Sequence, residues 1–201
     1  MKKKEQRFGT LAVHAGEGGF LHNPSSTPIY QTSTYSFDAV TDAAEVMQGS
    51  RKGFVYSRIG NPTVQAFERK LAALEGADAA VAFASGMAAL SAVFLELLRP
   101  GDEVISGSRI YGGTRGFFEQ ILGRIGCTVR QFSPFEGIGK NISLLVNNRT
   151  KVIFFETPSN PELSIIDMRV VASLARKHRA FQRHRQYLCN PVSAEAPGLR
   201  H

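Results

Sequence analysis

The sequence predicts an α/β fold built on a mixed, mostly parallel sheet with flanking helices. Three features carry that expectation. Short apolar runs alternate with stretches of helical period, glycine and proline turns separate them, and the order strand–helix–strand repeats from about residue 79 onward.

Residues 8 to about 55 are rich in Gly, Ser, Thr, Pro and aromatics and have little periodicity, so they read as an irregular arm. At Asn61-Pro62 the pattern changes to an N-cap followed by proline at the first helical position. Val64, Phe67, Leu71 and Leu74 then repeat at helical spacing until Gly76. Beyond it the sequence predicts a buried strand over Ala79–Ala84 and an apolar helix over Gly86–Leu98, then a turn at Arg99-Pro100-Gly101-Asp102. Next come a strand over Glu103–Ser106, a helix over Gly113–Ile125 and a strand over Thr128–Phe132. A short helix over Ile142–Asn147, a strand over Lys151–Phe155 and an amphipathic helix over Asp167–Lys177 complete the series. Such a sheet is expected to be covered on both faces.

The 201 residues are enough to bury a core, and 43% hydrophobic with 20% charged residues is the balance of an ordinary globular protein. No apolar run approaches the roughly 18 residues of a membrane span, and no apolar segment follows the basic start Met1-Lys2-Lys3-Lys4 as in a secretory signal. Two cysteines without metal spacing, Cys127 and Cys189, fit a reducing compartment, and the expected location is cytoplasmic. The net charge of +7 is scattered apart from the N-terminal lysines. It therefore reads as solvated surface, with neither nucleic acid nor membrane expected as a partner.

In open α/β sheets ligands bind beyond the carboxyl ends of the strands, so the loops there are where chemistry is sought. Ser85-Gly86-Met87 opens a helix, whose amide groups attract an anion such as phosphate; the same residues also suit a tight strand-to-helix turn. In Tyr111-Gly112-Gly113-Thr114 an aromatic ring sits where the backbone is thin, able to stack on a planar heterocycle or to serve as a half-buried loop residue. Glu156-Thr157-Pro158-Ser159-Asn160-Pro161 holds Glu156 and Asn160 in a stiff loop that could reach a ligand or form a turn. Arg58, in Tyr56-Ser57-Arg58-Ile59-Gly60-Asn61-Pro62-Thr63, offers a fork for phosphate or a surface charge at a helix entry. His14 has no partner for chemistry and reads as a packing residue, as does Cys127. No metal-binding set is expected.

These motifs follow one another in a specific order, preceded by Pro28-Ile29-Tyr30-Gln31-Thr32-Ser33-Thr34-Tyr35. The series resembles the transsulfuration, or Cys/Met metabolism, family of enzymes dependent on pyridoxal 5′-phosphate (PLP), over residues from about 10 to 180. That family includes cystathionine γ-synthase, cystathionine lyases, methionine γ-lyase and O-acetylhomoserine sulfhydrylase. The resemblance implies the N-terminal part of the large domain of fold type I PLP enzymes, similar to aspartate aminotransferase. It implies that Ser85, Gly86 and Met87 bind the cofactor phosphate, and that Tyr56 and Arg58 reach the phosphate of a neighbouring subunit in a homo-oligomer, a dimer or tetramer. Tyr111 would stack on the pyridine ring and act catalytically in proton transfer, with Glu156 and Asn160 beside the ring and its hydroxyl. The implied organisation is an N-terminal arm over residues 1–60 contacting a partner subunit and an incomplete PLP-binding domain over 61–180. The substrate would be a small amino acid: cystathionine, methionine or an O-acyl-homoserine, undergoing γ-elimination or γ-replacement. Some methionine γ-lyases carry cysteine after Tyr-Gly where Gly113 stands here, which weakens that member of the set.

The family continues with an Asp-Asn-Thr-Phe-like strand and, further on, a Ser-x-Thr-Lys whose lysine holds the cofactor; neither occurs here. Phe181-Gln182-Arg183-His184-Arg185-Gln186 lacks the apolar pattern of that strand. One choice of degenerate codons for Arg185 to Asn190, read one base later, gives Asp-Asn-Thr-Phe-Ala-Thr. Residues 181–201, Cys189 among them, are therefore expected to be an out-of-frame, unstructured tail, and the chain to be inactive alone. A non-catalytic fragment, able at most to associate with a full-length subunit, is the alternative.

Overall fold

The computed structural model describes residues 7–135, 137–159 and 162–177. The expected tail, residues 181–201, lies outside them. The chain divides into two compact units, Met1–Ala82 and Phe83–His201.

In the first unit two short helices, α1 (Phe8–His14) and α2 (Val40–Met47), stand within the stretch of little periodicity, and neither buries a residue. The longer α3 (Pro62–Glu75) is bounded as its sequence dictates. The Asn61 side chain accepts the Thr63 N–H, Pro62 takes the first helical position, and Gly76 ends the helix at φ +62°. Its buried face differs from the expected stripe: Ala66 and Ala72 are buried, whereas Val64 and Phe67 are exposed. The backbone approaches this helix closely at one point: a Cβ at Gly16, itself at φ +78°, would collide with the Ala66 carbonyl oxygen, so glycine is required at position 16.

The second unit is the α/β layer structure. It runs α4 (Gly86–Leu97), β1 (Glu103–Gly107), α5 (Gly112–Phe117) with a π-helical continuation over Phe118–Leu122, and β2 (Thr128–Phe132). It continues with α6 (Ile138–Leu145), β3 (Thr150–Phe154) and α7 (Met168–Lys177). The strands form a parallel sheet in the order β2-β1-β3. Central β1 is buried throughout, as a strand covered on both faces must be. Its side chains alternate between two cores. Val104 joins Leu90, Phe94, Phe118, Leu122 and Phe154 on one face, and Ile105 joins Phe132, Ile142, Ile166 and Val171 on the other. The first core is aromatic, with the Phe94 and Phe154 rings 5.6 Å apart and Phe118 edge-on to both at 5.0 and 5.6 Å.

Two expectations need correction. Ala79–Ala84 is not a strand, and Val81 and Phe83 are exposed. A strand exists only where a neighbour completes its ladder, and among the described residues no strand pairs with this segment. The helix expected at Ile142–Asn147 begins earlier, at Ile138, after Gly137 turns the chain at φ +69°. Gly139 lies inside the helix. A Cβ on it would meet Val170 of α7 at 3.4 Å, so the glycine lets the two helices pack closely.

Candidate functional site

Because the three strands are parallel, their carboxyl ends share one edge of the sheet, and the loops leaving them gather there. The loop after β1 carries Tyr111, and its backbone N–H donates to both carboxylate oxygens of Glu156 in the loop after β3, at 3.0 and 2.9 Å. A charge-assisted bond of this kind holds Tyr111 at the first turn of α5. The ring is half exposed (52%) and lies back over Gly113, where any Cβ would collide with it. Glycine at 113 thus sets the orientation of the tyrosine.

The start of α4 stands at the same edge. Ser85 caps it, its hydroxyl accepting the Ala88 N–H at 3.1 Å, and Gly86 has open space where a side chain would be. The two helix starts touch: buried Thr114 directs its hydroxyl toward the Met87 sulfur at 4.0 Å. An exposed, capped helix start with open space at its glycine, beside a half-exposed aromatic ring, fits a planar group that carries a phosphate.

The sequence reading did not single out Arg109. Its guanidinium pairs with Glu162 at 2.6 Å, in the loop after β3, and lies 5.6 Å from the Phe135 ring, in the loop after β2. One side chain therefore ties together the loops of all three strands. Its position directly before the Ile110-Tyr111 pair was the available signal.

Tyr56 and Arg58 belong to the first unit. The Arg58 guanidinium lies 5.1 Å from the centre of the Tyr56 ring, with Arg58 itself exposed. Asn61, expected only as a cap, also anchors this turn. Its amide donates to the Tyr30 carbonyl at 2.9 Å, the Tyr35 hydroxyl at 3.2 Å and the Ser57 hydroxyl at 2.9 Å. Thr63 adds a hydroxyl bond to the Pro28 carbonyl at 2.9 Å. The segment 28–35 is thereby stapled to the turn that presents Tyr56 and Arg58.

Asn160 lies outside the described residues. Cys127 is buried in the first core, its thiol pushed above the ordinary value by burial and by the nearby Asp102 carboxylate, which suits packing. His14 is exposed rather than packed; it contacts Glu17 at 3.3 Å, and Glu17 also faces Lys70 at 3.7 Å. At the amino end of the sheet, buried Glu103 is matched by Arg130, Arg149 and Asn147, a structural network remote from the loops above. Among the described residues no cluster of three or more His, Cys, Asp or Glu could hold a metal, and no helix is long and apolar enough to cross a membrane. A cavity of about 430 Å³ lies in the first unit among Gly16, Tyr30, Tyr35, Gln65 and Arg69, and none of the sequence-predicted site residues lines it.

The chain is similar to known proteins along most of its length. The chain is 38% identical over 174 residues to the L-methionine gamma-lyase of Pseudomonas putida, an alignment covering 86% of this chain and 43% of that protein. It is 36% identical over 185 residues to the O-succinylhomoserine sulfhydrylase of Pseudomonas aeruginosa, covering 92% of this chain and 45% of the relative. The metY protein of Campylobacter jejuni matches with a TM-score of 0.75 and 32% identity, over 87% of this chain and 43% of that one. Its crystal structure contains N′-pyridoxyl-lysine-5′-monophosphate. The chain thus spans less than half the length of these relatives. The family model for Cys/Met metabolism PLP-dependent enzymes matches residues 9–184, and the chain belongs to that family.

Proposed function

We propose that the chain contributes the phosphate- and ring-facing part of a PLP-dependent lyase or transferase of sulfur amino-acid metabolism. Its substrates would be cystathionine, methionine or an O-acyl-homoserine, undergoing γ-elimination or γ-replacement. The observation that carries this reading is the convergence of the Tyr111–Glu156 pair with the capped start of α4 at the carboxyl edge of the sheet. When bound, PLP supplies an electron sink for a carbanion at the substrate Cα.

The chain's own residues divide the remaining work. Ser85 occupies the Ala88 amide and keeps the α4 start in helical geometry, with Gly86 leaving room for a phosphate to approach. Tyr111, oriented by Glu156 and Gly113, offers its ring for stacking and its phenol oxygen to accept or return a proton. Glu156 thus acts as a positioning residue for Tyr111, and Asn160 is assigned to the cofactor face. Tyr56 and Arg58 serve the phosphate of a neighbouring subunit in a homo-oligomer. The 201-residue chain has no turnover by itself, since the Ser-x-Thr-Lys lysine is not in it.

Exposure of Arg58 in a turn with its own hydrogen-bond support favours a second reading. In it the chain is a non-catalytic fragment that lends Tyr56 and Arg58 to an intact subunit. Titration of the full chain with PLP, followed by tyrosine fluorescence and cofactor absorbance, tests the first reading. Reversible binding that weakens in Ser85→Ala, without thiol release from methionine or cystathionine, is expected. Absence of binding would remove the proposed cofactor role of this chain, and turnover would overturn its inactivity.

A further inference from the structure

At the carboxyl edge of the sheet the loops after β1 and β3 are joined twice. The first tie is the Tyr111 N–H on the Glu156 carboxylate. The second is the ion pair of Arg109 with Glu162 at 2.6 Å. On the loop after β1 only Ile110 separates the two ties, and it is buried, which anchors the chain between them. That loop has little freedom of its own. Ser108 donates its N–H to the Phe132 carbonyl at 2.9 Å and accepts the Arg115 guanidinium at its own carbonyl at 3.1 Å. The Arg109 guanidinium lies 5.6 Å from the centre of the Phe135 ring, a contact that restrains its long side chain.

The backbone just after Glu162 is shaped by its own bonds. Leu163 and Ser164 donate their N–H groups to the Ser159 carbonyl and hydroxyl at 2.8 and 3.0 Å, and Ile166 donates to the Thr157 hydroxyl at 2.9 Å. Leu163 sits at φ +54°, a left-handed conformation that a leucine keeps only where surrounding bonds impose it. An exposed ion pair contributes little to folding stability. As a second tie between two loops already joined, it acts differently. When the Glu156 contact opens, the pair keeps the loops together, so the contact re-forms at a high effective concentration. Glu156 fixes the geometry of Tyr111 unaided; the second tie governs how often the loops part.

We propose that Arg109 and Glu162 form a salt-dependent clasp that keeps the loops after β1 and β3 together, and that Arg109 is thereby a positioning residue for Tyr111 at the cofactor face. The clasp stands on the geometry above, while the positioning role rests on the proposed PLP site. Because both side chains of the pair are partly exposed, ions screen it, and the loops part more often as salt rises.

The test follows hydrogen exchange of the Tyr111 amide in the full 201-residue chain, taken as a ratio to the amides of Val104–Ser106 in β1. Between about 0.01 and 1 M sodium chloride the ratio is expected to rise roughly two- to fivefold, the range that an exposed ion pair supports. Arg109→Met and Glu162→Gln should each show a rise of that size already at low salt and lose the salt dependence. Arg109→Glu combined with Glu162→Arg is expected to restore slow exchange and its salt dependence, which a general loss of packing would not do. The PLP dissociation constant, read by cofactor absorbance, should rise in the single variants and recover in the combined one. Tyr111 exchange indifferent to salt and to both single variants, or a combined variant no slower than they are, would overturn the clasp. Faster exchange with an unchanged PLP dissociation constant would overturn the positioning role. If the unaltered chain binds no PLP, the proposed cofactor site fails and the positioning role with it, while Tyr111 exchange still decides the clasp.

Discussion

The Tyr111–Glu156 contact is a single backbone donor shared between two carboxylate oxygens, with no second side chain of the site needed to fix it. Replacing Glu156 by Ala removes a charged acceptor, an interaction worth roughly 1.5–3 kcal/mol. The expected outcome is a PLP affinity lower by about tenfold or more. Glu156→Gln, which keeps an acceptor oxygen, should retain most of the affinity, and the comparison is read by cofactor absorbance. Cys127 makes a different prediction. Burial and Asp102 raise its pKa in the folded chain above the ordinary 9.0, so the folded state holds the thiol proton more tightly than the unfolded one. Stability from this source is complete below the ordinary value and is lost as pH rises from it toward the folded pKa. In a Cys189→Ser background, a thiol-specific chromogenic reagent at pH 8 should react with Cys127 only as the chain unfolds. Prompt reaction in the absence of denaturant would contradict the buried position.

Helix α3 shows how one side chain serves an element and a site together. Asn61 caps the helix through its oxygen and holds the 28–35 segment and the Ser57 turn through its amide. Loss of an N-cap costs about 1 kcal/mol, and each lost intramolecular hydrogen bond about as much again. Asn61→Ala is therefore expected to destabilise the first unit by about 2 kcal/mol or more, seen as a lower urea midpoint. Asn61→Asp should keep the cap and lose the donated bonds, giving an intermediate midpoint. Equal midpoints for the two variants would mean that the amide donations carry no weight. The π-helical continuation of α5 has its own consequence: Phe118 and Leu122 both reach the first core from it, extending the buried helix face.

At the scale of the whole chain, stability is unevenly distributed. Every residue of β1 is buried, while α1 and α2 bury none. Amide hydrogen exchange should therefore be slowest at Val104–Ser106 and fastest in α1 and α2. Uniform exchange rates across the chain would show that the sheet does not form the stable centre.

The sequence alone determined the alternation of elements from β1 onward, because buried strands and amphipathic helices have distinct periods that no tertiary contact is needed to read. It also determined the bounds of α3, since a cap, an N1 proline and a terminal glycine act within a few residues. The site motifs were legible for the same reason: Ser85-Gly86-Met87 and the Tyr111 loop are contiguous, and family membership follows from their order. What only the tertiary structure decided depends on groups distant in sequence. Ala79–Ala84 has the composition of a strand, but pairing requires a neighbour, and composition cannot supply one. The grip of Glu156 on Tyr111 and the reach of Arg109 across three loops join residues that only the parallel arrangement of the strands brings together. The close approach of Gly16 to the α3 backbone was equally hidden, because the two segments are about fifty residues apart in sequence.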